Sequence, residues 1–289
     1  MRAIVTGGAG FIGSNLVEKI MLDPKSQVLV LDDLSTGLLD NVQAGCDFCN
    51  FDIRLDWREN KTIEEFKPDV IFHLAARARI QPSFLSPQEF LSVNCSGTVR
   101  MLEYARNCKC RVVYAGSSSF YFDPHANPYA HSKWIGEEHC KMYHAVYGVP
   151  VAIARFFNVY GKRHTRAGSN ANVLGIFERQ IMDGKPLTIT GSGEQRRDFT
   201  HVDDICEGLQ LMCGKPWQGQ VFNLGRGRNY SINEVASMFG ARDIERLPVR
   251  SGEALNTLAD TSFTRQALGW EAKKNLPDYV DEFLNSLGK

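Results

Sequence analysis

The segment RAIVTGGAGFIGSNL (2–16) decides how the rest of the chain is read. Residues 2–6 form a short apolar run, and glycines follow at once. Gly8-Ala9-Gly10-Phe11-Ile12-Gly13 fits G-x-G-x-x-G, while Gly7, Gly10 and Gly13 together fit G-x-x-G-x-x-G. Such a pattern alone carries little. Here it leaves a strand and opens a helix, the context a dinucleotide turn needs. Glycines permit the tight turn and close backbone approach, and the helix N-terminus offers N–H groups to a pyrophosphate.

Further on, QVLVLD (27–32), DVIFHLA (69–75), RVVYAG (111–116) and VPVAIARF (149–156) are nearly continuous apolar runs. Strands buried on both faces read this way. Helical patterns over Asn15–Met21, Phe90–Arg106 and Tyr129–Tyr147 lie among them. The alternation predicts an α/β fold, a doubly wound parallel sheet of the Rossmann type. After Gly161 the pattern changes to a polar stretch (162–172), a helical one (173–184), a short strand PLTIT (186–190) and the turn GSGEQ (191–195). We therefore expect a nucleotide-binding domain over 1–161. A smaller α/β substrate-binding region over 162–289 completes it, with some chain crossing back to the first.

The chain has 289 residues, with 33 Lys+Arg against 33 Asp+Glu. That length supports a full core, since roughly 300 residues bury about three quarters of the unfolded surface. Zero net charge argues against a nucleic-acid partner, which calls for surplus cations to displace phosphate counterions. No window approaches the run of about 18 apolar residues that a membrane span requires. The first residues enter the strand directly, so no leader is expected to be removed. Eight cysteines are scattered along the chain, and neither Cys46/Cys49 nor Cys108/Cys110 is followed by a matching His pair. Reduced thiols in a cytoplasmic protein, with no metal, are the expectation.

Asp32 ends the second strand, 19 residues beyond Gly13. A carboxylate there can accept hydrogen bonds from ribose hydroxyls and repel a 2′-phosphate, which favours NAD over NADP. A solvated Asp pair capping the next helix is the other reading, and it explains Asp33 better than Asp32. Tyr129 and Lys133 are four apart at the start of a helical pattern entered through Asn127-Pro128, so they share a face. An ammonium near a phenol favours the phenolate. YxxxK by itself also describes a surface Lys beside a packed Tyr. Ser117-Ser118-Ser119 follow the fourth predicted strand, at the sheet edge where ligand crevices form; a plain serine-rich turn is the other reading.

Together these segments resemble the extended short-chain dehydrogenase/reductase family, specifically its nucleotide-sugar epimerases. The likeness spans essentially the whole chain: TGGAGFIGSNL (6–16), LDDLSTG (31–37), Asp52-Ile53, FHLAA (72–76), Asn94, Tyr129…Lys133, RFFNVYG (155–161), RRDFTHVDD (196–204), RSGE (250–253) and LGW (268–270). It implies that Ser35, Thr36 and Gly37 join Asp32 and Asp33 on the cofactor side. It implies too that Asp52 and Ile53 flank adenine, that Leu74, Ala75 and Ala76 line NAD, and that Asn94 and Phe156 belong to the same site.

By the same resemblance, Tyr129 as phenolate removes a proton from a sugar hydroxyl, usually at C4, while hydride leaves that carbon for NAD. The keto-sugar turns over and takes hydride back on its other face. Lys133 holds the cofactor ribose and Ser117 the reacting oxygen. Arg197 and Arg250 match the diphosphate arginines, Glu253 the acid on the nucleotide ribose, and Asn158 the amide near the sugar–phosphate region. Related dehydratases carry Asp-Glu where this chain has Ser118 and Ser119; related decarboxylases also tend to carry an acid there. Hexuronate epimerases tend to have Thr at Asn158.

The implied substrate is a UDP-hexose or UDP-N-acetylhexosamine. Thr257 stands where some relatives place a bulky Tyr, and the stretch around Val173 is like that of N-acetylhexosamine epimerases. Two features depart from the family. Thr190 stands where relatives often have an aromatic that packs on uracil, and Tyr129 follows Ser117 by only 12 positions, a gap longer in most relatives. The helical patterns Phe90–Arg106 and Tyr129–Tyr147 imply a homodimer seam, although core packing accounts for their apolar faces as well. Competing readings are a keto-sugar-nucleotide reductase, a dehydratase, or a regulator that binds nucleotide without chemistry.

Overall fold

A strand buried on both faces must send alternate residues into different cores. Ile4, Leu29, Ile71, Val112 and Ile153 lie in one core, and their neighbours Val5, Val30, Phe72, Val113 and Ala154 in another. In the computed structural model, which describes residues 1–241 and 243–288, they belong to one sheet. Its strands are β1 (Arg2–Thr6), β2 (Gln27–Asp32), β3 (Asp47–Asn50), β4 (Val70–His73), β5 (Arg111–Ser117), β6 (Val151–Phe156) and β7 (Gln218–Leu224). All neighbours pair in parallel, in the order β7-β6-β5-β4-β1-β2-β3. The chain leaves β1 toward β2 and β3, then returns to place β4 on the other side of β1. That reversal opens a crevice at the carboxyl ends of β1 and β4.

Three helices of the first half cover the sheet: α1 (Phe11–Ile20), α2 (Thr98–Cys108) and α3 (Pro128–Tyr147). The first core packs under α2 and α3 through Met101, Leu102, Tyr104, Cys140 and Tyr143. The second is closed partly by α1 and partly by chain beyond residue 161. Two later helices matter here, α4 (Val173–Met182) and α5 (Val202–Met212). Val202, Ile205 and Leu209 of α5, with Trp270, cover that face. A third core, around Tyr160, Leu174, Phe177 and Val280, fills the smaller region. Both α5 and β7 come from chain beyond residue 161 and complete the sheet and its cover.

Several boundaries differ from the sequence pattern, for local reasons. The helix expected over Phe90–Arg106 is interrupted by a π-turn at Ser92–Gly97. The strand β3 went unread because it is four residues long and only half-buried. In β7, Gly219 takes φ +81° and the register shifts between Gln218 and Gln220, which hides the strand period.

Among the described residues, no helix is long and apolar enough to cross a membrane. No group of His, Cys, Asp and Glu there is arranged to hold a metal, and all eight cysteines are free thiols.

Trp270 tests whether the C-terminal stretch belongs to the main core. It is 1% exposed, and its Nε1 donates to the Asp204 carbonyl at 2.9 Å. Trp270→Ala is expected to cost about 3–5 kcal/mol and to lower the midpoint of a single unfolding transition in urea. A second, unshifted transition would show that the sheet does not depend on this residue.

Candidate active site

The glycine turn follows β1 and meets the segment after β4. Gly7 has φ +72°, and a Cβ there would lie 2.8 Å from the Ala75 nitrogen. A Cβ at Gly13 would lie 2.1 Å from the Gly7 carbonyl oxygen. The turn can therefore be this tight only with glycine, and it fits a pyrophosphate brought close to the backbone. At the end of β2 the Asp32 carboxylate accepts from Ala9 N at 3.0 Å and Leu34 N at 2.9 Å. Burial pushes its pKa up against those bonds. Gly37 lets the following loop approach, since a Cβ there would be 2.8 Å from Asp32 Oδ1. Asp33 caps its own turn through Ser35 N at 3.0 Å, which is the bland role considered for it above.

Beneath the crevice runs a buried polar chain. The Thr6 Oγ1 accepts from Leu74 N and Ala75 N, both at 3.1 Å, and lies 2.8 Å from His73 Nδ1. His73 Nε2 is 3.0 Å from Thr98 Oγ1, which itself donates to the Asn94 carbonyl at 2.7 Å. With the Thr98 proton so engaged, His73 donates from Nε2 and accepts from Thr6 at Nδ1. Burial, with the charge of Lys133 adding to it, holds His73 neutral with a pKa down to about 3.

Asn94 sits in the π-turn. It accepts from Arg77 N at 2.8 Å and donates to Arg77 O at 3.0 Å and to Ser132 Oγ at 2.8 Å. Its amide thus lies behind the cavity wall and ties the segment after β4 to α3.

The cap of α3 is as the sequence indicated. Asn127 Oδ1 accepts from Ala130 N at 2.8 Å, with Pro128 in the first turn. Tyr129 and Lys133 come one turn apart, and the Tyr129 hydroxyl donates to Ser117 Oγ at 3.3 Å. Ser117, 7% exposed at the end of β5, also accepts from Ser119 N at 3.2 Å. The Lys133 ammonium sits 4.3 Å from the centre of the Tyr114 ring. Burial pushes its pKa down to about 8, opposed chiefly by Glu137 one turn along. Phe90 packs edge-on against Tyr129, with ring centres 6.3 Å apart.

A cavity of about 890 Å³ runs from the glycine turn past Ser117 and Tyr129 to Arg197 and Arg250. Burial lowers the pKa of Arg197, opposed by Glu253 at 3.7 Å. Arg250 is exposed at the rim. Asn158, at φ +26°, donates to the Asp198 carbonyl at 3.0 Å and to Thr257 Oγ1 at 3.2 Å. Val173 and Thr190 also face this space, as do Asp52, Ile53, Ala76 and Phe156. Gly37, Asn94 and Lys133 stand behind its wall. A smaller recess of about 190 Å³ adjoins it, sharing Ser118, Phe122 and Thr257.

Sequence reading overlooked Arg77 and Arg79, which follow FHLAA and line the cavity. Two cations within three residues at the carboxyl end of a strand were the available signal.

A Rossmann sheet with a Ser–Tyr–Lys constellation beside a glycine turn defines a nucleotide-dependent short-chain dehydrogenase/reductase site. Residues 3–225 match the model of the NAD dependent epimerase/dehydratase family, and the chain belongs to that family. It is 35% identical over 304 residues to the UDP-glucose 4-epimerase of Mycolicibacterium smegmatis, covering 97% of this chain and 96% of that protein. It is 32% identical over 319 residues to UDP-glucuronic acid decarboxylase 6 of Arabidopsis thaliana, covering 100% and 90%. The crystal structure of the Thermotoga maritima UDP-glucose 4-epimerase with UDP-glucose superposes with a TM-score of 0.92. It is 27% identical and covers 100% of both chains.

Gly13→Ala checks the cofactor side. The added methyl would meet the Gly7 carbonyl at 2.1 Å, so the turn must open. NAD affinity, measured by fluorescence titration, is expected to fall at least about a hundredfold, or roughly 2.7 kcal/mol. Unchanged affinity would remove the turn from the site.

Proposed function

We propose that this chain is an NAD-dependent 4-epimerase of UDP-sugars that accepts N-acetylated hexoses. One observation carries the reading: the Tyr129 hydroxyl is 3.3 Å from Ser117 Oγ, one turn from Lys133, where the cavity joins its glycine and arginine ends. Backbone N–H groups of the turn would hold the cofactor pyrophosphate, and Asp32 the ribose hydroxyls. Asp52, Ile53 and Leu74–Ala76 would flank its rings, and Lys133 the second ribose. Bound NAD supplies reversible hydride acceptance at the carbon bearing the reacting hydroxyl.

The chain's own residues handle the proton. Ser117 fixes the sugar oxygen, Tyr129 takes its proton as phenolate, and the Lys133 charge favours that ionised form. After the 4-keto sugar presents its other face, Tyr129 returns the proton to the same oxygen. No external reductant is consumed, so the cofactor stays bound throughout. Arg197 and Arg250 suit the diphosphate, since guanidinium forks match phosphate oxygens.

Ser118 and Ser119 lack the acid and base that elimination needs, which favours epimerisation over dehydration or decarboxylation. The small Thr257 and the recess beside it support room for an acetyl group at C2. This reading also places the protein in the cytoplasm as a homodimer, paired through the faces of α2 and α3.

Assay of the purified protein on UDP-GlcNAc and UDP-Glc, with product stereochemistry read by NMR, tests the reaction. Both should be epimerised at C4; turnover of UDP-Glc alone would sink the acetyl argument. Tyr129→Phe should lower kcat by about 10²–10⁴, and unchanged turnover would rule out the mechanism.

The pH dependence follows from Lys133. Its pKa is depressed from 10.5 to about 8, so the ammonium is intact below that pH and is lost as pH rises through it. A fall in kcat through about pH 8 is expected, and a flat profile to pH 10 would contradict the assigned role.

A further inference from the structure

Arg79 holds a backbone conformation that side chains rarely adopt. Its φ is +84° and ψ 139°, immediately before the short helix Ile80–Leu85, and its side chain makes no capping bond there. Glycine would take this conformation without strain. Strain retained at a site points to a use for the residue that bears it.

The chemistry of the side chain narrows that use. Arg79 and Tyr129 both line the main cavity. The Arg79 Nε donates across the cleft to the Asn170 carbonyl at 2.9 Å. No carboxylate lies within ion-pair distance of it among the described residues. Arg77, two residues before, is by contrast paired with Glu89 at 3.0 Å. A half-buried guanidinium left without an anion is poised for one that arises during turnover. Two groups around it fit that description: the Tyr129 phenolate and the sugar oxygen facing it. Burial lowers the pKa of Arg79, and the charge of an ionised Tyr129 opposes that shift.

We propose that Arg79 is a second cation of the reaction centre, stabilising with Lys133 the phenolate of Tyr129 and the oxygen from which it takes the proton. The inference rests on Tyr129 being the base. Among the described residues, Tyr114 from β5 and Arg79 from the segment after β4 feel the charge of an ionised Tyr129, and Lys133 lies one turn along its own helix. Ser117 supplies only a neutral hydroxyl. Guanidinium stays charged across the whole working range, whereas the buried Lys133 does not, so the two cations are not redundant.

Arg79→Gly separates this role from a structural one, because glycine relieves the strain and removes the charge together. The variant should melt at or above the wild-type Tm. Its kcat on a UDP-sugar at pH 7 should fall at least tenfold, with the acid limb of the pH–kcat profile displaced upward by about one unit. Arg79→Lys should restore part of the limb.

A second readout needs no turnover. Tyrosinate absorbance of the holoenzyme is titrated against pH, and the Tyr129 signal is assigned by difference from Tyr129→Phe. In Arg79→Gly that signal should appear at higher pH. A raised Tm with kcat and tyrosinate titration unchanged overturns the proposal. So does a rise in KM alone, which would make Arg79 a diphosphate contact. Wild-type protein that titrates as expected yet turns over no UDP-sugar would instead count against the epimerase reading and leave the cation in place.

Discussion

The Thr6 hydroxyl holds three partners at once, accepting from Leu74 N and Ala75 N and donating to His73 Nδ1. It sits at the end of β1, at the reversal of strand order, so these bonds fix how the segment after β4 passes the glycine turn. Gly7 approaches Ala75 so closely that a Cβ would stand 2.8 Å from its nitrogen, and that approach relies on the Thr6 fork. From His73 the chain of bonds continues through Thr98 to Asn94, then to Arg77 and Ser132. Ser132 neighbours Lys133 and donates to the Tyr129 carbonyl at 2.9 Å. One continuous, neutral network thus sets the cofactor turn, the cation-bearing segment and the Tyr–Lys helix against one another. A charged His73 would break its donor pattern, and burial prevents that charge.

A second constraint comes from the other side of α3. Glu137 and Arg155 form an ion pair that is 1% and 5% exposed, with Arg155 NH2 2.6 Å from Glu137 Oε2. Two desolvated charges recover little net stability from pairing, so the pair matters more for where it places things. Glu137 lies one turn beyond Lys133 and opposes the loss of its proton. Arg155 lies 3.6 Å from the centre of the Phe120 ring, which holds the turn carrying Ser117. Gly116 is required between them, because a Cβ would come 2.7 Å from Glu137 Oε1. Helix, lysine charge and serine turn are thereby fastened to a single point.

Much of this was legible in the sequence, and the reasons are specific. Double-sided burial writes itself as unbroken apolar runs, so β1, β2, β4, β5 and β6 could be read directly. Asn127-Pro128 announced the start of α3, because capping depends only on residues near in sequence. What escaped was either short or nonlocal. A π-turn adds one residue to a helix and carries no signature in residue types, so Asn94 could be named but not placed. The approach of Arg197 to Glu253 joins residues 56 apart in sequence, 253 − 197. Arg79's left-handed backbone is invisible in its letter, since only glycine advertises positive φ.

The charge balance acquires a different meaning once the cavity is described. Equal numbers of acids and bases leave no net charge to attract an anion, so anion recognition rests on local groups. Within the site the cations differ in what already neutralises them. Arg77 is paired with Glu89, whereas Arg197 has Glu253 only at 3.7 Å and Arg79 has no acid within ion-pair distance among the described residues. The Arg197 guanidinium is thus loosely held and keeps donors to spare at the far end of the cavity.

The short Ser117–Tyr129 segment belongs to the same logic. It compacts into a 3₁₀ turn over Ser118–Tyr121, and Tyr121 hydrogen-bonds Asn223 of β7 at 2.9 Å. Stacking of Tyr121 on Phe157, with centres 6.1 Å apart, anchors that turn without a longer loop. Beside this turn lies the recess bounded by Phe122, Phe157 and Thr257. A brief connection therefore holds Ser117 and Tyr129 together while the recess beside Thr257 stays open to the main cavity.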